Sequence, residues 1–228
     1  VVSIGKLHFR SANDKTGFDE QILPMHIANG VGDVMGSIRP NLPERPQSRK
    51  FSEQIGPGET EYTKYDQNIS RKAAEWLKAR SKNKKKDNPF LLYVSFIAPH
   101  FPLIVPHKYY NLYKDIELPN FKKFNSELVN HPWWIAFNKS ITFDNYFRDD
   151  LHRREAIISY LGLCTFVDQL IGNVIDELES TSLQDNTNIL FLSDHGENLG
   201  ARGLWGKSVM YEESIGIPMI LAGEGLPK

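Results

Sequence analysis

Apolar residues along this chain follow two spacings that take turns. Compact β-prone runs fall at residues 1–4, about 90–96, about 188–193 and about 217–222, and each gives way to polar or glycine-rich sequence. Between them, apolar positions recur at steps of three and four over about 66–80 and about 152–179, which predicts two amphipathic helices. In the first helix, Ile69, Ala73, Trp76 and Leu77 form the inward stripe, Asp66 or Asn68 stands where a cap is expected, and residues 81–88 end it in a basic loop closed by Pro89. In the second, Ile157, Leu161, Cys164, Ile171, Ile175 and Leu178 form the stripe, which places Cys164 in the core as a small hydrophobe. Ile189, Leu190, Phe191 and Leu192 have the composition of a parallel strand buried on both faces. Strands alternating with helices in this way predict an α/β fold built on a mostly parallel sheet flanked by helices.

Three of the predicted strands end in chemistry. The first runs into Gly5, Lys6, Leu7 and His8, with Lys6 and His8 two residues apart and so on one side of extended backbone. The second is followed by Ala98, Pro99, His100, Phe101 and Pro102, and the third by Asp194, His195, Gly196 and Glu197, with Lys207 further on. In open α/β sheets ligands gather in the crevice beyond the carboxyl ends of the strands, so these residues are expected to meet there. A carboxylate and an imidazole side by side suggest a metal site.

Composition narrows the partner. With 228 residues, 40% of them hydrophobic, the chain can bury a sizeable core, and a formal net charge of −1 gives no electrostatic case for nucleic acid. No uninterrupted apolar stretch approaches the roughly 20 residues of a membrane span, and the single cysteine excludes an intrachain disulfide. A small molecule is the expected partner; localisation and oligomeric state are left open. The run Lys82, Lys84, Lys85 and Lys86 reads as a solvated loop, and Gly56-Pro57-Gly58 reads as a turn without the Lys-Ser/Thr that a phosphate loop requires. The stretch 101–150 is irregular and rich in aromatics, read first as packing of a loop onto the domain and second as a pocket wall.

The motifs together resemble the sulfatase family of the alkaline phosphatase superfamily. Gly5-Lys6-Leu7-His8 resembles the family's Gly-Lys-x-His, Ala98-Pro99-His100-Phe101-Pro102 its Pro-His-x-Pro, and Asp194-His195-Gly196-Glu197 with Gly206-Lys207 its metal and sulfate segment. The segment 199–205 and the residues around His8 lean toward choline-sulfatase-like and arylsulfatase-like members. The resemblance implies that Lys6 and Lys207 bind sulfate oxygens, that His100 protonates the leaving oxygen, that His8 acts as the base toward the nucleophile, and that Asp194 and His195 belong to the metal shell. Calcium is the first expectation for that divalent metal, with magnesium or manganese as alternatives.

The same resemblance implies elements this chain does not contain. The family's formylglycine arises from a Cys in Cys-x-Pro/Ala-x-Arg upstream of Gly-Lys-x-His, and two further Asp ligands lie upstream as well. Residues 1–228 therefore read as the central part of a sulfatase catalytic domain, inactive alone, whose longer parent hydrolyses a sulfate monoester. Many family members carry Asn where His195 stands, and the His variant also occurs in relatives that cleave phosphonate monoesters or phosphodiesters. Those hydrolases are the alternative enzymatic reading, and a non-catalytic remnant of the family is the other.

Overall fold

A computed structural model describes residues 1–32, 45–83, 88–120 and 132–226. Lys84, Lys85 and Lys86 of the expected basic loop, and residues 121–131 of the aromatic-rich stretch, lie outside the described residues. In chain order the strands are β1 (Val2–Lys6), β2 (Glu20–Met25), β3 (Ile55–Pro57), β4 (Leu92–Ser95), β5 (Leu103–Val105), β6 (Ile189–Leu192) and β7 (Met219–Ala222). The helices are α1 (Lys50–Glu53), α2 (Glu61–Lys82), α3 (His107–Tyr110), α4 (Pro132–Ser140), α5 (Asp150–Glu179) and α6 (Glu212–Ile215).

The α/β class expected from the pattern is the class observed, with parallel pairing at its centre. β1 lies between β2 and β4, parallel to both, and β3 pairs in parallel with β5. The register Val2↔Leu92 through Gly5↔Ser95 brings the carboxyl ends of β1 and β4 level, so the residues after each emerge side by side. Gly5 is required there: its φ is +106°, and a Cβ would stand 2.2 Å from the Ser95 carbonyl oxygen. Ile4, Ile69 and Ala73, all without solvent exposure, seal α2 onto this sheet.

Two expectations need correction. β6 is not a buried parallel strand; it pairs antiparallel with β7, and Leu190 and Leu192 are about half exposed. Its apolar run was read as double-sided burial, but the described residues lay no layer over either face of the β6–β7 ribbon. The cap of α2 is also different. Thr60 caps the helix, its hydroxyl accepting from the Thr63 amide while Thr63 Oγ1 accepts from the Thr60 amide, so Asp66 lies inside the helix with no solvent exposure.

The stripe on α5 is shifted as well. The deepest line runs through Ala156, Ser159, Leu163, Phe166 and Leu170, while Ile157, Leu161 and Cys164 lie half-buried on its flank. The helix packs on α2, α3, β3 and β5 together, so more than one face is covered and a single-stripe reading chooses between neighbours. By length and composition α5 also passes as a membrane span; Ala156, Leu163, Phe166 and Leu170 of it lie in the core. Several described rings of the aromatic-rich stretch pack onto the domain, while Tyr146 is exposed. Phe101 stacks on Phe51 at 5.1 Å between centroids, and Phe147 stacks on the buried Trp205 at 4.4 Å.

Candidate active site

The three strand ends meet. Lys6 closes β1 and His8 follows it into solvent; the turn carrying His100 follows β4; Asp194 and His195 follow β6. Lys207 arrives from a separate loop, and its Nζ lies 2.5 Å from His195 Nε2. On the other side of the His195 ring, Nδ1 is 2.8 Å from the Gly196 carbonyl. That carbonyl can only accept, so Nδ1 carries the proton and Nε2 takes the lysine's hydrogen bond with its lone pair. Asp194 Oδ1 stands 3.6 Å from the same Nε2, and the His100 ring lies edge-on to the His195 ring at 6.3 Å.

Electrostatic coupling ties in the remaining members. The imidazole of His8 is held below its ordinary pKa by partial burial and by Lys6 and Lys207, against an opposing pull from Asp194. His100 is pushed down to about 4, mainly by burial, with Lys207, Lys6 and His195 adding to the effect. Withdrawal from water works against the Asp194 carboxylate, yet His195, Lys6 and Lys207 together keep its pKa below the usual range. Burial likewise lowers the Lys207 ammonium, aided by Lys6 and opposed by Asp194 and Glu197. All six residues expected from the sequence therefore share one site.

Local structure explains why Lys207 is delivered so closely. Glu197 Oε1 accepts from the Leu199 and Gly206 amides, while the Asn198 amide and side-chain Nδ2 both donate to the Gly206 carbonyl. These bonds pinch the loop shut directly before Lys207. From the far side Trp205 is locked by an Nε1 hydrogen bond of 2.9 Å to Asp144, which also takes two hydrogen bonds from the Arg153 guanidinium. Gly196 admits the neighbouring backbone: a Cβ there would lie 2.2 Å from the Glu213 carbonyl oxygen, and its amide donates to Ser214. Through these bonds Glu197 holds the loop that presents Lys207.

Two lysines against one carboxylate, with the buried His100 neutral near pH 7, give the site a net positive field. An anion is the ligand such a field accepts, and negative charge developing on it during a reaction would be stabilised by the same groups. Cys164 takes no part. It sits in α5 beside Tyr160, and burial pushes its thiol up to about 11, so it is neither placed nor ionised for attack.

Asp66 is the residue the sequence reading passed over. Its Oδ1 accepts from the Ile97 amide and its Oδ2 from the Ala98 amide, each at 2.8 Å, just before the turn that carries His100. An aspartate near an expected helix start reads as a cap. Only the true start at Thr60 reveals that it faces inward.

Comparison with known proteins identifies the family. The sequence profile of the Sulfatase family matches residues 2–228. The choline-sulfatase of Rhizobium meliloti (strain 1021) is 28% identical over 229 residues, covering 97% of this chain and 44% of that protein. The solved structure of yidJ from Bacteroides fragilis aligns at 31% identity and TM-score 0.51, covering 69% of this chain and 30% of the other. The phosphonate monoester hydrolase SpPMH from Silicibacter pomeroyi aligns at 29% identity and TM-score 0.53, covering 67% of this chain and 33% of the other. The chain thus spans less than half the length of these relatives. A profile match over almost every residue, on an α/β fold shared with these structures, establishes that the chain belongs to the sulfatase family of the alkaline phosphatase superfamily.

Proposed function

We propose that the protein to which this chain belongs hydrolyses a sulfate monoester to an alcohol and inorganic sulfate, with residues 1–228 forming the central part of its catalytic domain and inactive alone. The observation that carries this reading is the convergence of Lys6, His8, His100, Asp194, His195 and Lys207, from separate strand ends and one clamped loop, around the Lys207–His195 contact. Lys6 and Lys207 bind the anionic oxygens of the ester and oppose the charge that gathers there as the S–O bond breaks. His100 has its Nδ1 2.7 Å from the Phe101 carbonyl, which fixes the ring and leaves Nε2 as the nitrogen free to act. Free, it is neutral near pH 7; a bound anion favours its protonated form, and Nε2 then gives the proton to the leaving oxygen. His8, also lowered toward the neutral form, takes a proton from the nucleophile's hydroxyl.

Asp194 and His195 stand 3.6 Å apart, and with Lys207 withdrawn from the Nε2 lone pair the carboxylate and imidazole form a donor pair that fits part of a divalent cation shell. No group of three His, Cys, Asp or Glu suited to a metal ion gathers among the described residues, so the pair supplies part of such a shell and not the whole. Calcium, or magnesium or manganese in its place, would supply further positive charge to the ester's anionic oxygens when bound there. The expected nucleophile is formylglycine, contributed by sequence outside residues 1–228.

Two observations favour a second reading. His195 places imidazole where an oxygen shell alone suits calcium best, and the similarity to SpPMH extends over two thirds of this chain, which supports a phosphonate monoester or phosphodiester substrate. Peptide mass mapping of the full-length protein separates the two. A formylglycine-bearing peptide upstream of Val1, together with sulfate release from an aryl or choline sulfate, is the expected result. An unmodified nucleophile with preferential turnover of a phosphonate monoester would overturn the sulfatase reading.

A further inference from the structure

Asp66 has no solvent exposure, and among the described residues its carboxylate has no hydrogen bond or salt bridge to a cationic side chain. A buried carboxylate is costly unless its oxygens are satisfied, and here the two oxygens are divided between successive backbone amides, Ile97 and Ala98. Those amides link β4 to the turn bearing His100. The path continues from there: the His100 amide donates to the Ile97 carbonyl at 3.0 Å, and the His100 ring is held by the Phe101 carbonyl. Only a carboxylate presents two acceptors and no donor at this spacing. An asparagine would aim its own N–H at one of the two amides.

We propose that Asp66 is a positioning residue for His100: by holding the Ile97 and Ala98 amides it fixes the turn from which the imidazole reaches the leaving oxygen of the bound ester. This role rests on the reading of His100 as proton donor. α2 thereby does more than cover the sheet, because the helix that docks Ile69 on β1 also sets the register of the turn after β4.

The test uses the full-length protein and a series of sulfate esters running from 4-nitrophenyl sulfate, whose leaving group needs little protonation, to an alkyl sulfate, whose alkoxide needs it most. Replacing His100 by Ala is expected to give a loss that grows steeply along this series. Asp66→Asn is expected to follow the same slope more weakly, losing roughly ten- to a hundred-fold in kcat on the alkyl ester and less than about three-fold on the nitrophenyl ester, with KM unchanged. Adding Asp66→Asn to His100→Ala is expected to cost nothing further on the alkyl ester.

Ser70→Ala removes another buried hydrogen bond of α2, the 2.8 Å bond to the Leu170 carbonyl, and serves as the control; it is expected to lower Tm without any leaving-group dependence. If Asp66→Asn does not fold, Asp66→Ser, which keeps one acceptor and no charge, carries the same measurement. Equal losses on both esters, or an undiminished loss in the His100→Ala background, would overturn the role. Leaving-group dependence in His100→Ala but not at Asp66 removes this inference alone, whereas no sulfate release by the unmodified protein removes the reading of function on which it stands.

Discussion

Lys207 and Asp66 show what single residues reveal and conceal. Lys207 was legible in the sequence because its motif stands beside Asp194 and His195, and the structure brings its ammonium to 2.5 Å from the His195 ring. Asp66 was not legible: Thr60 and Thr63 form the capping box without the usual Glu or Gln, so the start of α2 carried no clear signal and an inward carboxylate passed for a cap. Burial raises the Asp66 pKa from 3.8 to about 6, against the opposing effect of the Ile97 and Ala98 amides and Lys6. The sign of the consequence follows from linkage. With the folded pKa above the unfolded one, the native state holds the proton more tightly, so this contribution to stability is complete below about pH 4 and is lost as pH rises through about 6. Thermal unfolding of the full-length protein is expected to show stability falling over that window, by up to about 3 kcal/mol from this group. The fall should be smaller in Asp66→Asn, and an equal slope in both proteins would contradict the assignment.

The elements that carry the site are those whose patterns were strongest. β1, β4 and β6 were expected as strands, and each ends at the chemistry it was expected to present. The missed strands, β2, β3 and β5, are short or interrupted by Pro24 and Gly56, which weakens a period-two signal. The β6–β7 ribbon was misjudged because an apolar run specifies a strand but not its partner or its cover. At this scale the most exacting contact is between β1 and β4 at Gly5. Gly5→Ala is expected to destabilise the protein by about 2–4 kcal/mol, from left-handed backbone strain and the clash with the Ser95 carbonyl, and to displace Lys6. A denaturation midpoint unchanged from the parent would show that the two strand ends are not locked together as described.

Across the whole molecule, the sheet and helices act as a frame that brings distant segments to one point. Lys6 and Lys207 are 201 positions apart in the sequence, yet both act on the ionisation of His8, His100 and Asp194. The family's motifs were readable because each is short and follows a strand. The hydrogen bonds that aim them, through Asp66, Glu197 and Asp144, join residues with no common spacing and emerge only in three dimensions. The central claim is that this point binds and cleaves a sulfate monoester. Its most direct test is inorganic sulfate release from 4-nitrophenyl sulfate by the full-length protein, compared with Lys207→Ala and with turnover of a phenylphosphonate monoester. Sulfate release that exceeds phosphonate turnover and falls at least about a hundred-fold in Lys207→Ala is the predicted result. No sulfate release, or release that survives Lys207→Ala undiminished, would contradict it.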